Sequence, residues 1–203
     1  TVPGGATLWV AQGTYYPDTS EYGRDSHFAP PANVSVYGGF AGTESSRDQR
    51  DWIAHPTILS GDIGAKGTWT DNCYHVVRYN LGVRLDGLVI QDGYLNQEYV
   101  TGDSVYYYRG SAIGSPKANP SPTNGDYLPQ EPADNLMIVD HCRITHNYGK
   151  VMVNGSAQNN GQLSTLFIAY RNCLIDNNES PSTDKLLMYC YLDHCTVTGN
   201  SSY

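Results

Sequence analysis

The chain has few charged residues, which make up 16% of its 203 positions. It carries 12 Lys and Arg against 20 Asp and Glu, so its formal net charge is -8. This shortage of basic residues argues against a nucleic-acid partner, because such proteins need a basic stripe to neutralise phosphates. It also argues against a polybasic membrane anchor. No apolar run approaches the roughly 20 residues that a membrane-spanning helix needs.

Residues that favour helices at a 3.6-residue spacing are also scarce. Gly, Pro and Tyr are abundant instead, with 21, 11 and 17 copies. Short runs of β-branched and aromatic residues end repeatedly in Gly, Asn or Asp, which is typical of strands and turns. A hydrophobic content of 39% argues against a disordered chain. We therefore predict a single all-β domain over residues 1–203, with one core.

A repeat occupies the last third of the chain. Segments 142–147, 173–178 and 195–200 all fit the pattern C-x-[I/V]-x-x-N. A weaker copy at 85–93 has Leu88 in the Cys position and Gly93 in the Asn position. The residues before the Cys position also align, so that Asp86 corresponds to Asp140. Units as short as roughly 22 residues, with one strand and one Asn or Gly turn, predict a parallel β-solenoid in which each unit is a coil stacked on the last.

Alternation along each strand predicts which side chains point into the solenoid. The cysteines at 142, 173 and 195 fall on inward positions, where Cys acts as a small hydrophobe. We predict that Cys142, Cys173 and Cys195 form one ladder. A disulfide between Cys173 and Cys195 stays open as an alternative, because stacked coils bring Cα atoms within disulfide range. Cys73 and Cys190 are the remaining candidates for pairing.

The asparagine that closes each repeat is the second repeated polar feature. Coils stack at about 4.8 Å, so equivalent side chains form rows along the axis. We predict an asparagine ladder of Asn147, Asn178 and Asn200 at a turn, where Asn tolerates a left-handed backbone and its amide can bond to neighbouring copies.

Residues 94–134 break this rhythm, with five prolines set among Asn, Ser and Gly. We interpret this stretch as one long excursion between coils, interrupted by a strand near 110–113, and long loops are often functional. Its tyrosines are candidate contacts for a ligand or a partner chain, since Tyr is favoured at interfaces. Covering the solenoid's own flank is the alternative. These candidates are Tyr99, Tyr106, Tyr107, Tyr108 and Tyr127.

Several segments resemble a known family. The sequences TLWVAQGTYYP at 7–17, VSVYGGFAGTE at 34–44 and TILSGD at 57–62 are similar, in this order, to secreted bacterial right-handed β-helix proteins with a pectin-lyase-like fold, common in Bacteroidota. The later repeats look like the units of polymorphic outer-membrane adhesins. The resemblance implies a single-stranded right-handed parallel β-helix, a secreted or cell-surface location in a bacterium and a frequent structural or adhesive role. It implies no particular activity, because the fold hosts lyases, hydrolases, adhesins and fibres.

The Asp-His pairs that precede two of the repeat cysteines suggest metal ligands. His141 and His194 would lie two coils apart, however, which is about 10 Å at the coil spacing. They are therefore too distant to share one ion. Asp140, Arg171 and Asp193 would instead stack as alternating charges in a salt-bridge ladder. We predict no metal site here.

Enzymes of the resembled fold use a basic residue or paired carboxylates, and Ca²⁺ in some cases. Asp86, Asp92 and Arg109 are the candidates for such a set in this chain, but no spacing among them is diagnostic. Turn capping is the ordinary explanation for aspartates in such turn motifs. We therefore favour a protein that is not an enzyme and has no cofactor, and leave bound Ca²⁺ as an alternative.

The two ends of the predicted solenoid show no obvious cap in the sequence. Exposed strand edges are normally capped, since they promote end-to-end pairing. We therefore expect a structural or adhesive extracellular protein whose copies stack head to tail into a fibre. Its partners would be further copies, other surface proteins or glycans. The alternatives are a fragment of a longer adhesin, and a carbohydrate-binding or polysaccharide-degrading module that uses the Tyr-rich excursion.

Overall fold

The computed structural model describes residues 2–96, 110–114, 136–149, 168–181 and 190–202, and the short strands at 99–101, 104–106, 153–154, 156–159, 162–165 and 187–188. Strands dominate this part of the chain, and helical structure is limited to 3-10 turns at Gly23–Asp25, Arg47–Gln49 and Trp69–Asp71. No helix among these residues is long and apolar enough to cross a membrane.

The strands of the first half are β1 (Thr7–Ala11), β2 (Gly13–Tyr15), β3 (Ser35–Phe40), β4 (Thr57–Ser60), β5 (Val77–Arg78), β6 (Arg84–Asp86), β7 (Leu88–Gln91), β8 (Tyr94–Leu95), β9 (Tyr99–Thr101), β10 (Ser104–Tyr106) and β11 (Ile113–Gly114). Those of the second half are β12 (Met137–Asp140), β13 (Arg143–Thr145), β14 (Tyr148–Gly149), β15 (Val153–Asn154), β16 (Ser156–Asn159), β17 (Gln162–Thr165), β18 (Ile168–Arg171), β19 (Leu174–Asp176), β20 (Glu179–Ser180), β21 (Leu187–Met188), β22 (Cys190–Asp193), β23 (Thr196–Thr198) and β24 (Ser201–Ser202).

These strands form four parallel sheets. Sheet I has the order β1-β3-β6-β12-β18-β22, and sheet II has the order β2-β4-β7-β13-β19-β23. Sheet III is β5-β11-β15-β21 and sheet IV is β8-β14-β20-β24. Two antiparallel pairs, β9 with β10 and β16 with β17, complete the set. The all-β prediction with parallel strands is therefore confirmed.

The chain visits the four sheets in a repeating order. From β5 onward it passes through sheets III, I, II and IV, and then begins again with β11, β15 and β21. The antiparallel pairs are inserted between sheets IV and III in one case and between sheets III and I in the other. Each passage therefore adds one strand to the same edge of every sheet.

The repeats found in the sequence pair in register. Leu85, Val139, Tyr170 and Leu192 form one row across sheet I, and the row of sheet II runs through Ile90, Ile144, Ile175 and Val197. The first three members of each row are buried in the core. The last members, Leu192 and Val197, are 39% and 44% exposed, because no described strand follows β22 or β23 in its sheet.

The asparagines stand in a hydrogen-bonded row. Asn147 N–H donates to Oδ1 of Asn178 at 3.0 Å, and Asn178 N–H donates to Oδ1 of Asn200 at 2.9 Å. Gly93 N–H donates to Oδ1 of Asn147 at 2.9 Å, so Gly93 ends the row. The Nδ2 groups donate to main-chain carbonyls, such as that of Ile144 at 2.9 Å from Asn178. Asn147 and Asn178 are fully buried.

The left-handed backbone lies one residue before the asparagine in each repeat, and not on the asparagine itself as the sequence suggested. The residues with positive φ at this turn are Asp92, His146, Asn177 and Gly199. The turn between sheets I and II has the same geometry at Gly87, His141, Asn172 and His194. Because Asp, Asn, His and Gly are the residues that adopt this conformation most readily, the repeated Asp-His pairs have a backbone explanation.

In the row of repeat cysteines, Cys142 and Cys173 lie in the hydrophobic core, and Cys195 packs against its edge. Cys142 and Cys173 are buried and Cys195 is half-buried, and all five cysteines of the chain are free thiols. Burial raises the pKa of Cys173 to about 12, and it does the same for Cys73.

Alkylation should therefore discriminate between the cysteines, because the thiolate is the reactive form. In the folded protein at about pH 8 we expect iodoacetamide to modify Cys195 first, and Cys73 and Cys173 to react about a thousandfold more slowly than an ordinary thiol. Mass spectrometry of peptides taken at successive times gives the rates. Equal rates at Cys173 and Cys195 would contradict the burial of this row, and urea-unfolded protein provides the control in which all sites react alike.

The long excursion starts later than the sequence suggested. Tyr94 pairs with Tyr148, so β8 still belongs to sheet IV. The strand expected near 110–113 is β11 at Ile113–Gly114, where Ile113 pairs with Val77 and Val153. The side chains of the candidate contacts Tyr99 and Tyr106, and all of Tyr107, Tyr108 and Tyr127, lie outside the described residues.

Candidate functional site

A cleft opens on the outer face of sheet I, beneath the loop that connects β3 to β4. Its volume is about 540 Å³, which lies within the range of small-ligand pockets. The sheet contributes outward-facing side chains of β3 and β6, and residues 47–52 of the loop form the other wall. We call it the arginine cleft, and its lining residues are Tyr37, Arg47, Asp48, Arg50, Trp52, Arg84 and Asp86.

Two glycines allow the loop to approach the sheet this closely. Gly39 has φ +92, and a Cβ there would lie 2.7 Å from the backbone of Trp52. Gly87 has φ +70, and a Cβ there would lie 2.7 Å from Nη1 of Arg50. A larger residue at either position would be strained by the positive φ. At Gly39 it would also push the backbone of Trp52 away from the sheet, and at Gly87 it would displace the guanidinium group of Arg50.

Asp86 forms the floor of the cleft and is shared by two arginines. Its Oδ1 lies 2.6 Å from Nη2 of Arg50, and its Oδ2 lies 3.0 Å from Nη2 of Arg84. Arg84 also reaches Oδ2 of Asp140 at 2.5 Å, in the next strand of sheet I. The side chains of Arg50, Asp86 and Asp140 are 9%, 4% and 9% exposed, respectively. This is a buried network of alternating charges, and its geometry fixes both guanidinium groups.

The charge network favours the protonated form of Arg84. Burial opposes its charged form, but the hydrogen bond to Asp86 and the charges of Asp86 and Asp140 outweigh this and raise the pKa of Arg84 above its ordinary value. Arg50 is further anchored by hydrogen bonds from Nη1 to the carbonyls of Gly38 and Asp86, both 3.1 Å long.

Aromatic rings alternate with cations along the cleft. The guanidinium carbons of Arg47 and Arg50 lie 5.0 and 5.1 Å from the ring centre of Tyr37. Arg50 also lies 4.9 Å from the ring of Trp52, which in turn packs 4.7 Å from the ring of His141. Such cation–π contacts contribute about 0.5 to 2 kcal/mol each, so the stack helps to hold the loop on the sheet.

His141 completes a group of three potential metal ligands with Asp86 and Asp140, whose ligand atoms all lie within 4.8 Å of one another. Nδ1 of His141 is 3.1 Å from Oδ1 of Asp140 and 3.4 Å from Oδ1 of Asp86. Arg50 and Arg84 already neutralise both carboxylates, and a cation would have to displace them. The arrangement is therefore better suited to an ion-pair network than to a metal. His194 lies apart from this group and pairs with Asp193 at 2.6 Å.

The expected salt-bridge ladder was wrong in one respect. Arg171 does lie between Asp140 and Asp193 in the register of sheet I. The ion pair of Asp140 is made with Arg84 instead, and Asn172 donates to its other oxygen at 3.0 Å. Arg171 forms no ion pair within the described part of the chain.

Two of the three catalytic candidates, Asp86 and Asp92, lie in different places. Asp86 lies in the arginine cleft, whereas Asp92 lies in the turn after β7. There Oδ2 of Asp92 accepts hydrogen bonds from Ser60 at 2.7 Å and from Gln91 at 2.8 Å, as expected for a turn-stabilising aspartate. Arg109 lies outside the described residues, so its position relative to the two aspartates is not described.

The sequence contained a partial signal for the cleft. Arg84 and Asp86 are two residues apart on one strand and therefore share a face, and the repeat alignment already placed Asp86 level with Asp140. Arg50 and Trp52 carried no such signal, because they belong to an irregular loop.

Comparisons of the chain with protein-family models, with curated proteins and with solved structures found no match.

Proposed function

We propose that the chain is a structural or adhesive protein, secreted by a bacterium or displayed on its surface, and built as a single-stranded right-handed parallel β-helix. The support is the repeated passage through sheets III, I, II and IV, with side chains of each repeat in register. Such a stack produces a long, regular surface rather than a single enclosed pocket.

Self-association in a head-to-tail manner is the second part of the proposal. Strands β1 and β2 lie at one edge of sheets I and II, and β22 and β23 lie at the other edge. Large hydrophobic side chains are exposed at both edges, including Trp9 and Tyr15 at one and Leu192 and Val197 at the other. This distribution is the observation that carries the proposal, because unpaired edges flanked by apolar side chains are templates for further pairing.

The rows of the two sheets indicate how a second copy would pair. Tyr15 begins the sheet II row that runs through Leu59 to Ile90 and ends at Val197. A second copy stacked in the same register would place its Tyr15 on Val197, and its β2 beside β23. This heterologous contact would repeat along the direction in which the strands stack and would not close into a ring, so it would generate a filament.

Sedimentation velocity over a range of concentrations tests this contact. We expect the 203-residue chain to form larger species as its concentration rises, and Val197→Lys to abolish them by placing a charge in the contact. Ile53→Lys is the matched control, since Ile53 is 84% exposed but lies in the β3–β4 loop and not on an edge strand. A single monomeric species at all concentrations would contradict self-association, and so would equal loss in both variants.

A carbohydrate-binding or polysaccharide-degrading module remains the alternative function. The side chains of its predicted contacts in the excursion lie outside the described part of the chain. A screen for polysaccharide binding and cleavage separates it from the structural role, and reproducible product formation would favour the enzyme.

A further inference from the structure

The arginine cleft holds more hydrogen-bond donors than its carboxylates use. Arg84 donates through Nε and Nη2 to Asp86 and through Nη2 to Asp140. Its Nη1 has no acceptor within the described ranges, and the side chain is 28% exposed. Arg47 donates through Nη1 to the hydroxyl of Tyr37 at 3.2 Å, and its side chain is 51% exposed. Both guanidinium groups therefore present unused N–H groups at the cleft.

Among the residues that the structure describes, Asp48 is the only carboxylate at the rim of the cleft, and it competes weakly for these donors. Asp48 is 3.8 Å from Nε of Arg47, and its side chain is 92% exposed. Exposed ion pairs of this kind contribute little, because water and salt screen them. The other two carboxylates face Arg84 and Arg50 from the floor of the cleft. Asp86 and Asp140 therefore place no negative group at the open side of the cleft.

The floor of the cleft is preorganised. The buried Arg50 is fixed by Asp86 and two carbonyls, and Arg84 is fixed by two aspartates. A ligand that binds Arg84 would therefore immobilise few additional rotamers, which reduces the cost of association. Guanidinium groups suit oxyanions because their planar fork matches two oxygens at a time.

We propose that the arginine cleft binds a tetrahedral oxyanion, a sulfate or phosphate group, between Arg47 and Arg84. The two arginines belong to different elements, the β3–β4 loop and β6. A carboxylate has a single two-oxygen edge, so it can form the paired, fork-to-fork contact with only one guanidinium group at a time, whereas a tetrahedral oxyanion can present a separate two-oxygen edge to each. The rings of Tyr37 and Trp52 beside the arginines provide apolar surface for whatever carries the group. This site is independent of the proposed self-association.

An NMR titration of the folded 203-residue chain tests the proposal. The chain is titrated separately with sodium sulfate, sodium phosphate and sodium acetate at constant ionic strength. The readout is the ¹H–¹⁵N NMR signals of the arginine Nε–H groups. We expect saturable shifts of the Arg47 and Arg84 signals with sulfate and phosphate, and binding of acetate at least about tenfold weaker, since one charge-assisted pair is lost. The sulfate and phosphate arms show which of the two groups is preferred. Shifts that do not saturate, or equal affinity for acetate, would overturn the proposal.

Variants locate the site. Arg47→Gln should weaken sulfate binding about tenfold, and Asp48→Asn should strengthen it a few-fold by removing the competing carboxylate. Both residues are exposed, so these changes should leave the fold intact. Arg78→Gln is the matched control, because Arg78 is exposed on β5 in sheet III and outside the cleft. Unchanged binding in Arg47→Gln, or equal loss in Arg78→Gln, would contradict the assignment.

Discussion

Replacing Asp86 by alanine is expected to lower the free energy of unfolding by about 4 kcal/mol. Asp86 accepts charge-assisted hydrogen bonds from both Arg50 and Arg84. Removing it leaves Arg50, of which 9% is exposed, as a buried charge without a carboxylate partner. Because such a charge cannot be rehydrated without displacing the loop from the sheet, we also expect the β3–β4 loop to detach. Urea unfolding followed by circular dichroism measures the change.

Asp193→Ala provides the matched control for this experiment. Asp193 lies two strands beyond Asp140 in the same row of sheet I, but its side chain is 40% exposed. Its only described ion pair is the surface contact with His194, so we expect a change below about 1 kcal/mol. Similar losses in the two variants would show that the network does not stabilise the fold as described.

Replacing Asn178 by alanine is expected to lower the free energy of unfolding by about 3 kcal/mol. Its Oδ1 accepts from the backbone and the side chain of Asn147, both at 3.0 Å. Its Nδ2 donates to the carbonyls of Ile144 and Asp176, both at 2.9 Å. The substitution would leave several buried polar groups without partners, and each such group costs about 1 to 3 kcal/mol. Partial repacking of the neighbouring side chains and entry of water reduce the total cost of these groups.

Asn200→Ala is the comparison for this ladder variant. Asn200 makes the same type of contacts, with Nδ2 donating to the carbonyl of Ile175 at 2.9 Å and Oδ1 accepting from Asn178. It is half-buried in the outermost repeat, where water can replace the lost groups, so we expect about 1 kcal/mol. A loss at Asn178 no larger than the loss at Asn200 would contradict the burial of the row. Urea denaturation gives both changes in unfolding free energy from the shifts in midpoint, provided that the dependence of the free energy on urea concentration is the same in each variant.

The repeats could be predicted from sequence because their spacing carries the information. The rows of sheets I and II pair residues in the alignment that the C-x-[I/V]-x-x-N pattern gave, and the inward positions at Ile144 and Ile175 follow from a period of two. The turn geometry was placed one residue late, since the ladder asparagines do not have a positive φ. His146 and Asn177 take that conformation instead.

The arginine cleft was largely beyond sequence reasoning. Arg84 and Asp86 share a strand face, and that could be predicted. Their contacts with Arg50 and Trp52 depend on how the β3–β4 loop docks over sheet I, which no local periodicity specifies. The close approach of this loop requires Gly39 and Gly87, yet both glycines also fit ordinary turns. The pairing of distant charges is a tertiary property, so it became visible only in three dimensions.

Negative-stain electron microscopy of the purified chain over a range of concentrations tests the proposed function most directly. We predict filaments of uniform width that lengthen as the concentration rises, because each copy would extend sheets I and II of the next. Val197→Lys should give only short particles under the same conditions, and Ile53→Lys should still form filaments. Dispersed short rods from the unmodified chain at every concentration would contradict head-to-tail assembly.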